Sequence, residues 1–245
     1  MDAALRQELT RYLGTFLSQR RAGRIEAVLA QRTRHVTLVL EDVFQPHNAS
    51  AVLRSCECFG IQDVHVVEGR NAYTVSRGVS LGAGQWLNLI RHRAAAGQDV
   101  ATCAAALGRA GYRLAAAVPD AGSPAVDDLP VDRPLAVLFG TEEEGLTDRA
   151  VDLAEVRTHI PMFGFTESFN VSVSAALVLR ALTDRVRAEV PDWGLSEEEK
   201  AELRFRWHRL SVRRSDLILE RFLEERGLPP LAAVEDDVIS PGGVP

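Results

Sequence analysis

The sequence predicts an α/β protein: a mostly parallel sheet flanked by helices, with a helical extension at each end. Three observations lead there. Between about residues 36 and 188, short runs rich in Val, Leu and Ala alternate with longer helical runs. The short runs are near-continuously apolar, the pattern of strands buried on both faces. Three of them lead into loops dense in Asn, Ser, Glu and Gly, and open α/β sheets bind their ligands at the C-terminal ends of strands.

Taken in order, Met1 to Arg34 reads as helical, with Leu9, Leu13, Phe16 and Leu17 at helical spacing. The strands expected are Val36–Leu40, Val64–Val67, Leu87–Ile90, Arg113–Ala117, Leu135–Phe139 and Val156–Met162. The core helices expected are Ala51–Phe59, Val100–Arg109 and Val171–Arg187. Gly60 and Gly111 stand where helices end in a left-handed residue. Pro119 to Pro134 is a loop rich in Pro and Asp. Ser196 with Glu199 is a capping box that opens a further helix, followed by a break near Leu210–Ser211 and a second one. This divides the chain into an N-terminal extension (1–35), a core (36–190), a C-terminal extension (191–230) and a Pro/Gly-rich acidic tail (231–245) expected to be disordered.

The chain has 245 residues, 46% of them hydrophobic, enough to bury one large core. No apolar run reaches the length of a membrane span, and Met1 to Thr15 lacks the apolar stretch of a secretion signal. Cys56, Cys58 and Cys103 are odd in number and without metal-ligand spacing, which fits buried thiols in a reducing cytoplasm. His35, His47, His65, His92 and His159 are likewise scattered, so no metal is expected. The net charge of −6 argues against a protein coated in nucleic acid. The charge is nevertheless uneven. Arg20, Arg21, Arg24, Arg32 and Arg34 cluster near one end, and Lys200, Arg204, Arg206, His208, Arg209, Arg213 and Arg214 near the other. Each cluster is either a solvated helix face or a phosphate-binding surface.

The chemistry lies in the three polar loops. Gly164 to Ser174 puts Asn170, Ser172 and Ser174 at a helix start, where one cap residue suffices. Gly140-Thr141-Glu142-Glu143-Glu144-Gly145 follows the strand Leu135–Phe139, and Asn48-Ala49-Ser50-Ala51-Val52-Leu53-Arg54 lies beyond the strand Val36–Leu40. A phosphate loop of the Walker type, a complete G-x-G-x-x-G and a nucleophile elbow are all missing, and the missing Gly-rich fingerprint counts against a Rossmann-type dehydrogenase.

Asn48-x5-Arg54, Gly140-x-Glu142-x2-Gly145, and Ile160-Pro161-Met162 followed by Ser168-Phe169-Asn170-Val171-Ser172 resemble, in order and spacing, the three motifs of the SPOUT RNA 2′-O-ribose methyltransferases. Ala83-Gly84-Gln85-Trp86 resembles a further family segment. The short extensions are most similar to the TrmH branch, whose members methylate a D-loop guanosine of tRNA. The resemblance implies an α/β fold with a C-terminal trefoil knot, S-adenosylmethionine as cofactor, no metal, tRNA as partner and a cytoplasmic homodimer. It implies a cofactor held at Ala117, Gly140, Ile160, Met162 and Phe169, and catalytic roles for Arg54, Asn48, Glu142, Ser168 and Asn170. Ala117 stands where a family member often has Thr, and Phe169 where Leu is usual.

Within that resemblance Arg54 falls at the target ribose hydroxyl. Neutralising a guanidinium at pH 7 costs roughly 9 kcal/mol, so Arg54 is read as an orienting, charge-stabilising group rather than a free base. Asn48 would position Arg54 or the nucleotide, Glu142 would order Asn170 or Arg54, and Asn170 would help hold the substrate hydroxyl or the catalytic arginine. Arg20, Arg21, Arg24, Arg206, Arg213 and Arg214 are the residues expected to contact RNA. Methylation of another RNA, and a non-catalytic RNA-binding protein with this fold, are the alternatives at this point.

Overall fold

The structure, a computed structural model, describes residues 1–43, 45–70, 82–93 and 99–231. The chain divides into two compact units. Among the described residues, one comprises Met1–Arg32 with Gly194–Leu231, the other Thr33–Trp193.

The larger unit holds six strands, β1 (Val36–Glu41), β2 (Asp63–Glu68), β3 (Asn88–Arg93), β4 (Arg113–Ala117), β5 (Leu135–Phe139) and β6 (Val156–Thr158). They form one sheet in the order β3-β2-β1-β5-β4-β6, and every pairing is parallel. Between the strands run α3 (Pro46–Phe59), α4 (Val100–Arg109) and α5 (Asp148–Leu153), and after them α6 (Val171–Glu189). β1 and β5 are buried almost throughout, as their unbroken apolar runs require. One face of the sheet packs Leu38, Leu40, Val64 and Val66 against Val52 and Leu53 of α3 and Ala175, Val178 and Leu182 of α6. The other packs Val39, Val67 and Leu138 against Val100, Cys103, Ala104 and Leu107 of α4. Strand order reverses at β1 and β5, whose ends lie in register, Leu40 beside Phe139. Their following loops are therefore neighbours.

The smaller unit holds α1 (Ala3–Gly14), α2 (Gln19–Leu29), α7 (Glu197–Ser211) and α8 (Ser215–Glu225). Leu9 and Leu13 of α1 bury against Phe205, Leu219, Phe222 and Leu223. Both terminal extensions thus build one core. Arg32 is fully buried with its guanidinium 5.2 Å from the centroid of the Trp207 ring, so it is not part of a basic surface. Ser196 and Glu199 form the capping box in both directions.

Four expectations need correction. β6 stops at Thr158 instead of running to Met162; His159 still bridges Ala125, and Pro161, without an N–H, cannot extend the ladder. α3 starts at Pro46, a residue suited to the first helical position, so Asn48 sits in its first turn, Ser50 in its second, and neither is its N-cap. Met1 to Arg34 is two helices, broken before Gln19 by Ser18, which caps α2. Cys58 is exposed, while Cys56 and Cys103 are buried. Of the tail, residues 232–245 lie outside the described part of the chain.

Candidate functional site

Three loops meet at the C-terminal edge of β1, β4, β5 and β6, and each is shaped by a local need. The loop after β5 folds back on itself: Thr141 and Gly145 exchange both backbone hydrogen bonds, at 3.0 and 3.1 Å. Glycine at 140 permits this, because a β-carbon there would sit 2.0 Å from the backbone carbon and oxygen of Gly145. The loop's far end is anchored to β1. The buried Glu41 carboxylate accepts the Thr147 N–H at 2.9 Å and its hydroxyl at 2.8 Å, and Thr147 in turn caps α5. Next along β1, Asp42 has a φ of 54°, unusual for a non-glycine residue. Its carboxylate accepts the N–H groups of Gly69 and Arg70 at 2.8 and 2.9 Å and so joins the ends of β1 and β2.

Asn170 joins the three motifs. As the N-cap of α6 its side-chain oxygen accepts the N–H of Ser172 at 2.9 Å and the Ser172 hydroxyl at 2.6 Å. Its amide nitrogen donates to Asn48 Oδ1 at 3.2 Å and to Glu142 Oε1. All four hydrogen-bonding positions of the amide are filled, which fixes its orientation. Asn48 is buried in the first turn of α3 and donates to Gln45 Oε1 at 2.9 Å. The starts of α3 and α6 lie side by side there, joined by the Asn48–Asn170 hydrogen bond.

Two cavities open beside this network. The larger, about 390 Å³, has Ala117, Gly140, Ile160, Met162 and Phe169 in its wall, all five positions read as cofactor contacts, together with Ser168. His159 also lines it, with its Nδ1 buried and unpartnered among the described residues. The smaller, about 290 Å³, is walled by Asn48, Glu142, Val43 and Arg70, among others. Glu144 and Arg70 are hydrogen-bonded, which holds the Glu144 carboxyl below its ordinary value and raises the Arg70 guanidinium above its own. Thus the structure brings Asn48, Glu142 and Asn170 into one network and places Ser168 in the wall beside it. Arg54 stands apart from them. It is exposed on α3, in the wall of neither cavity, and has no hydrogen-bond or ion-pair partner among the described residues. Glu41, Asp42 and Arg70 escaped the reading of the sequence, in which His159 counts only as one of the scattered histidines. The signal available for the first two was the acidic pair ending an apolar strand.

The larger cavity suits S-adenosylmethionine in size. Its wall is built largely from backbone-rich loop segments around a glycine that admits no side chain. Such a cleft, at the strand ends of an all-parallel sheet where the order reverses, defines an α/β protein that binds a small polar ligand.

The SpoU rRNA Methylase family pattern matches residues 35–180. The tRNA (guanosine(18)-2′-O)-methyltransferase of Borreliella burgdorferi is 37% identical over 206 residues, 84% of this chain and 92% of that protein. The protein of the same name from Escherichia coli K12 is 33% identical over 161 residues, 65% of this chain and 67% of that one. The crystal structure of the A. aeolicus TrmH/SpoU tRNA modifying enzyme superposes with a TM-score of 0.70 over 80% of this chain and 98% of that one, at 22% identity, a likeness of fold. The chain belongs to the SpoU methylase family.

Proposed function

We propose that this protein transfers a methyl group from S-adenosylmethionine to the 2′-hydroxyl of guanosine 18 in the D-loop of tRNA. The observation that carries the reading is the Asn48–Asn170–Glu142 network, which ties three strand-end loops together beside a cleft walled by Ala117, Gly140, Ile160, Met162 and Phe169. The named relatives, 33–37% identical over most of their length, supply the substrate. When bound, the cofactor supplies a methyl group already activated on a sulfonium. The protein's task is then alignment and charge. Glu142 fixes the Asn170 amide, Asn170 in turn fixes Asn48, Asn48 positions Arg54 or the nucleotide beside the target hydroxyl, and Ser168 borders the cofactor. Arg54 reaches the hydroxyl from the exposed face of α3, orients it and stabilises the charge that grows as its proton leaves. Its guanidinium stays protonated, and an RNA phosphate is the natural carrier for the proton.

Two structural readings belong to the same proposal. The chain beyond β6 passes through a knot: it runs beside the 118–126 loop, with His159 N–H donating to Pro124 at 3.1 Å and Val126 N–H donating back to His159 at 2.9 Å. The protein works as a homodimer. Phe163 and Phe165 are fully exposed, and Val173 and Leu177, one turn apart on α6, continue an apolar surface next to Phe169 in the cofactor wall. A second copy would cover that surface and complete the site. We place the work in the cytoplasm, where tRNA matures. Among the described residues no helix is long and apolar enough to cross a membrane, and all three cysteines are free.

The test uses a tRNA transcript and a second one with 2′-deoxyguanosine at position 18, each incubated with the purified protein and methyl-labelled S-adenosylmethionine. Label should enter the first only. Label in the deoxy transcript would move the target elsewhere, and label in ribosomal RNA fragments alone would reassign the substrate.

A further inference from the structure

A second cluster of chemistry lies on the other face of the sheet. His65 is on β2, between Val64 and Val66, and therefore points away from the face that α3 and α6 cover. Its partner in register on β3 is Ile90, and His92 lies two residues further along the same face. α4 lies over this face and brings Cys103 down on it, in an apolar surround that includes Val67, Val100 and Leu107. The three residues come from three different elements, 27 and 11 positions apart in sequence. No spacing pattern could have united them.

Their geometry is specific. His65 Nδ1 and His92 Nε2 are 3.1 Å apart, with the rings 5.4 Å apart and nearly parallel. One ligand atom from each of His65, His92 and Cys103 lies within 4.8 Å of the others. All three are buried, at 3%, 8% and 1% exposure. An apolar core gains nothing from two imidazoles, since burying polar groups costs free energy that a single shared hydrogen bond offsets only in part. Two imidazoles and a thiol are, however, the donor set that zinc and copper(I) prefer. With bonds of about 2.0–2.1 Å to nitrogen and about 2.3 Å to sulfur, tetrahedral ligation puts the two nitrogens about 3.4 Å apart and each about 3.6 Å from the sulfur. The nitrogens need to part by only a few tenths of an ångström. The sulfur must close by no more than about an ångström, within reach of a rotamer adjustment. Burial lowers the pKa of His65 to about 3 and lowers that of His92, so both imidazoles are in the neutral form that ligates. The Cys103 thiol, raised to about 12 by burial, would give up its proton on binding and leave a thiolate to balance the cation.

We propose that His65, His92 and Cys103 form a structural site for one thiophilic d10 cation, zinc or copper(I), which fastens β2, β3 and α4 together. The site is separate from the methyl-transfer cleft and takes no part in its chemistry. Because such a cation binds the folded state, it stabilises the fold by mass action.

The experiment uses the full chain, stripped with a chelator and then equilibrated with zinc, with copper(I) under reductant, or with cobalt(II) as a coloured substitute for zinc. One equivalent per chain should bind, and cobalt should give a thiolate-to-metal charge-transfer band in the near ultraviolet. The band should vanish in Cys103→Ser and persist in Cys58→Ser, whose thiol is exposed. Affinity should fall at least tenfold in His92→Asn, and the metal should raise the melting temperature of the parent but not of Cys103→Ser. Binding of zinc alone or of copper(I) alone identifies the ion. The wild-type chain decides the matter even if a variant does not fold. Failure to take up one equivalent of any of the three, both in the native state and on refolding with metal, would overturn the proposal. So would a thiolate band that survives without Cys103.

Discussion

Asn170 performs two tasks that single substitutions can separate. Its side-chain oxygen caps α6, and its amide nitrogen binds Asn48 and Glu142. Serine is as good a cap as asparagine but has no second donor to offer, whereas alanine forfeits both tasks at a cost of about 0.5–2 kcal/mol of stability. Asn170→Ser should therefore melt within a degree or two of the parent yet lose more than tenfold in single-turnover methyl transfer. Asn170→Ala should lose both stability and rate, as calorimetry beside the same assay would show. Equal activity of Asn170→Ser and the parent would reduce the network to a helix cap. Arg54 makes the complementary case, because no described residue holds it. Removing it costs the fold little, so Arg54→Ala should keep its cofactor affinity while methyl transfer nearly disappears. Arg54→Lys should also be poor, since an ammonium lacks the planar fork that aligns two oxygens. A rate above about a tenth of the parent's, a barrier change under roughly 1.4 kcal/mol, would be too small for the role assigned.

Among the elements, the loops after β1, β5 and β6 decide what the sheet can bind, and Gly140 shows how strictly. Its added β-carbon would collide with backbone, which has no flexible end to swing aside. Gly140→Ala should force the 140–145 hairpin open and weaken S-adenosylmethionine binding at least tenfold by calorimetry. β5 should stay intact, since Leu135–Phe139 pairs on both sides upstream of the loop. Affinity equal to the parent's would show that the cofactor ignores this wall. The strands themselves were legible because burial on both faces leaves an unmistakable run of Val, Leu and Ala. Arg113–Ala117 and Leu135–Phe139 form over the residues expected. Periodicity failed where a local restriction overrode it: at Pro161, which ends the β6 ladder early, and at Pro46, which starts α3 early. The site was legible through its motifs, which crowd more polar residues at a helix start than one cap requires. Glu41, Asp42 and the His65–His92–Cys103 cluster were not, because their significance comes from partners distant in sequence: Thr147 for Glu41, the Gly69 and Arg70 amides for Asp42, and one another for the cluster.

For the whole molecule the central problem is charge, since a protein of net charge −6 must hold a polyanion. The long-range field of the total charge repels RNA, so affinity has to come from a local surface. The helical unit offers one. Arg20, Arg21 and Arg24 are exposed on α2, and Arg213 and Arg214 are exposed beyond α7. Arg21 Nε donates to the Ser211 hydroxyl at 3.2 Å, which brings the two basic stretches together within that unit. Arg206 is half-buried between them in sequence. Other arginines of the same helices are already neutralised, Arg204 by Glu26 at 2.6 Å and Arg209 by Asp216 at 2.8 Å. This division makes the prediction specific. Each Ala substitution at Arg20, Arg21, Arg24, Arg213 or Arg214 that removes a phosphate contact should lower the slope of log affinity against log salt by about 0.7 to 0.9. Arg206→Ala should do the same. Arg209→Ala should leave the slope almost unchanged, because Asp216 already competes for that charge. Cofactor binding should be untouched throughout, since the cleft lies wholly in the other unit. The measurement is tRNA binding by filter retention or fluorescence anisotropy across a salt series. Slopes equal to the parent's in all of these variants would make both basic stretches solvated helix faces. The acceptance of tRNA would then have to lie in the loops around Asn48, Glu142 and Asn170.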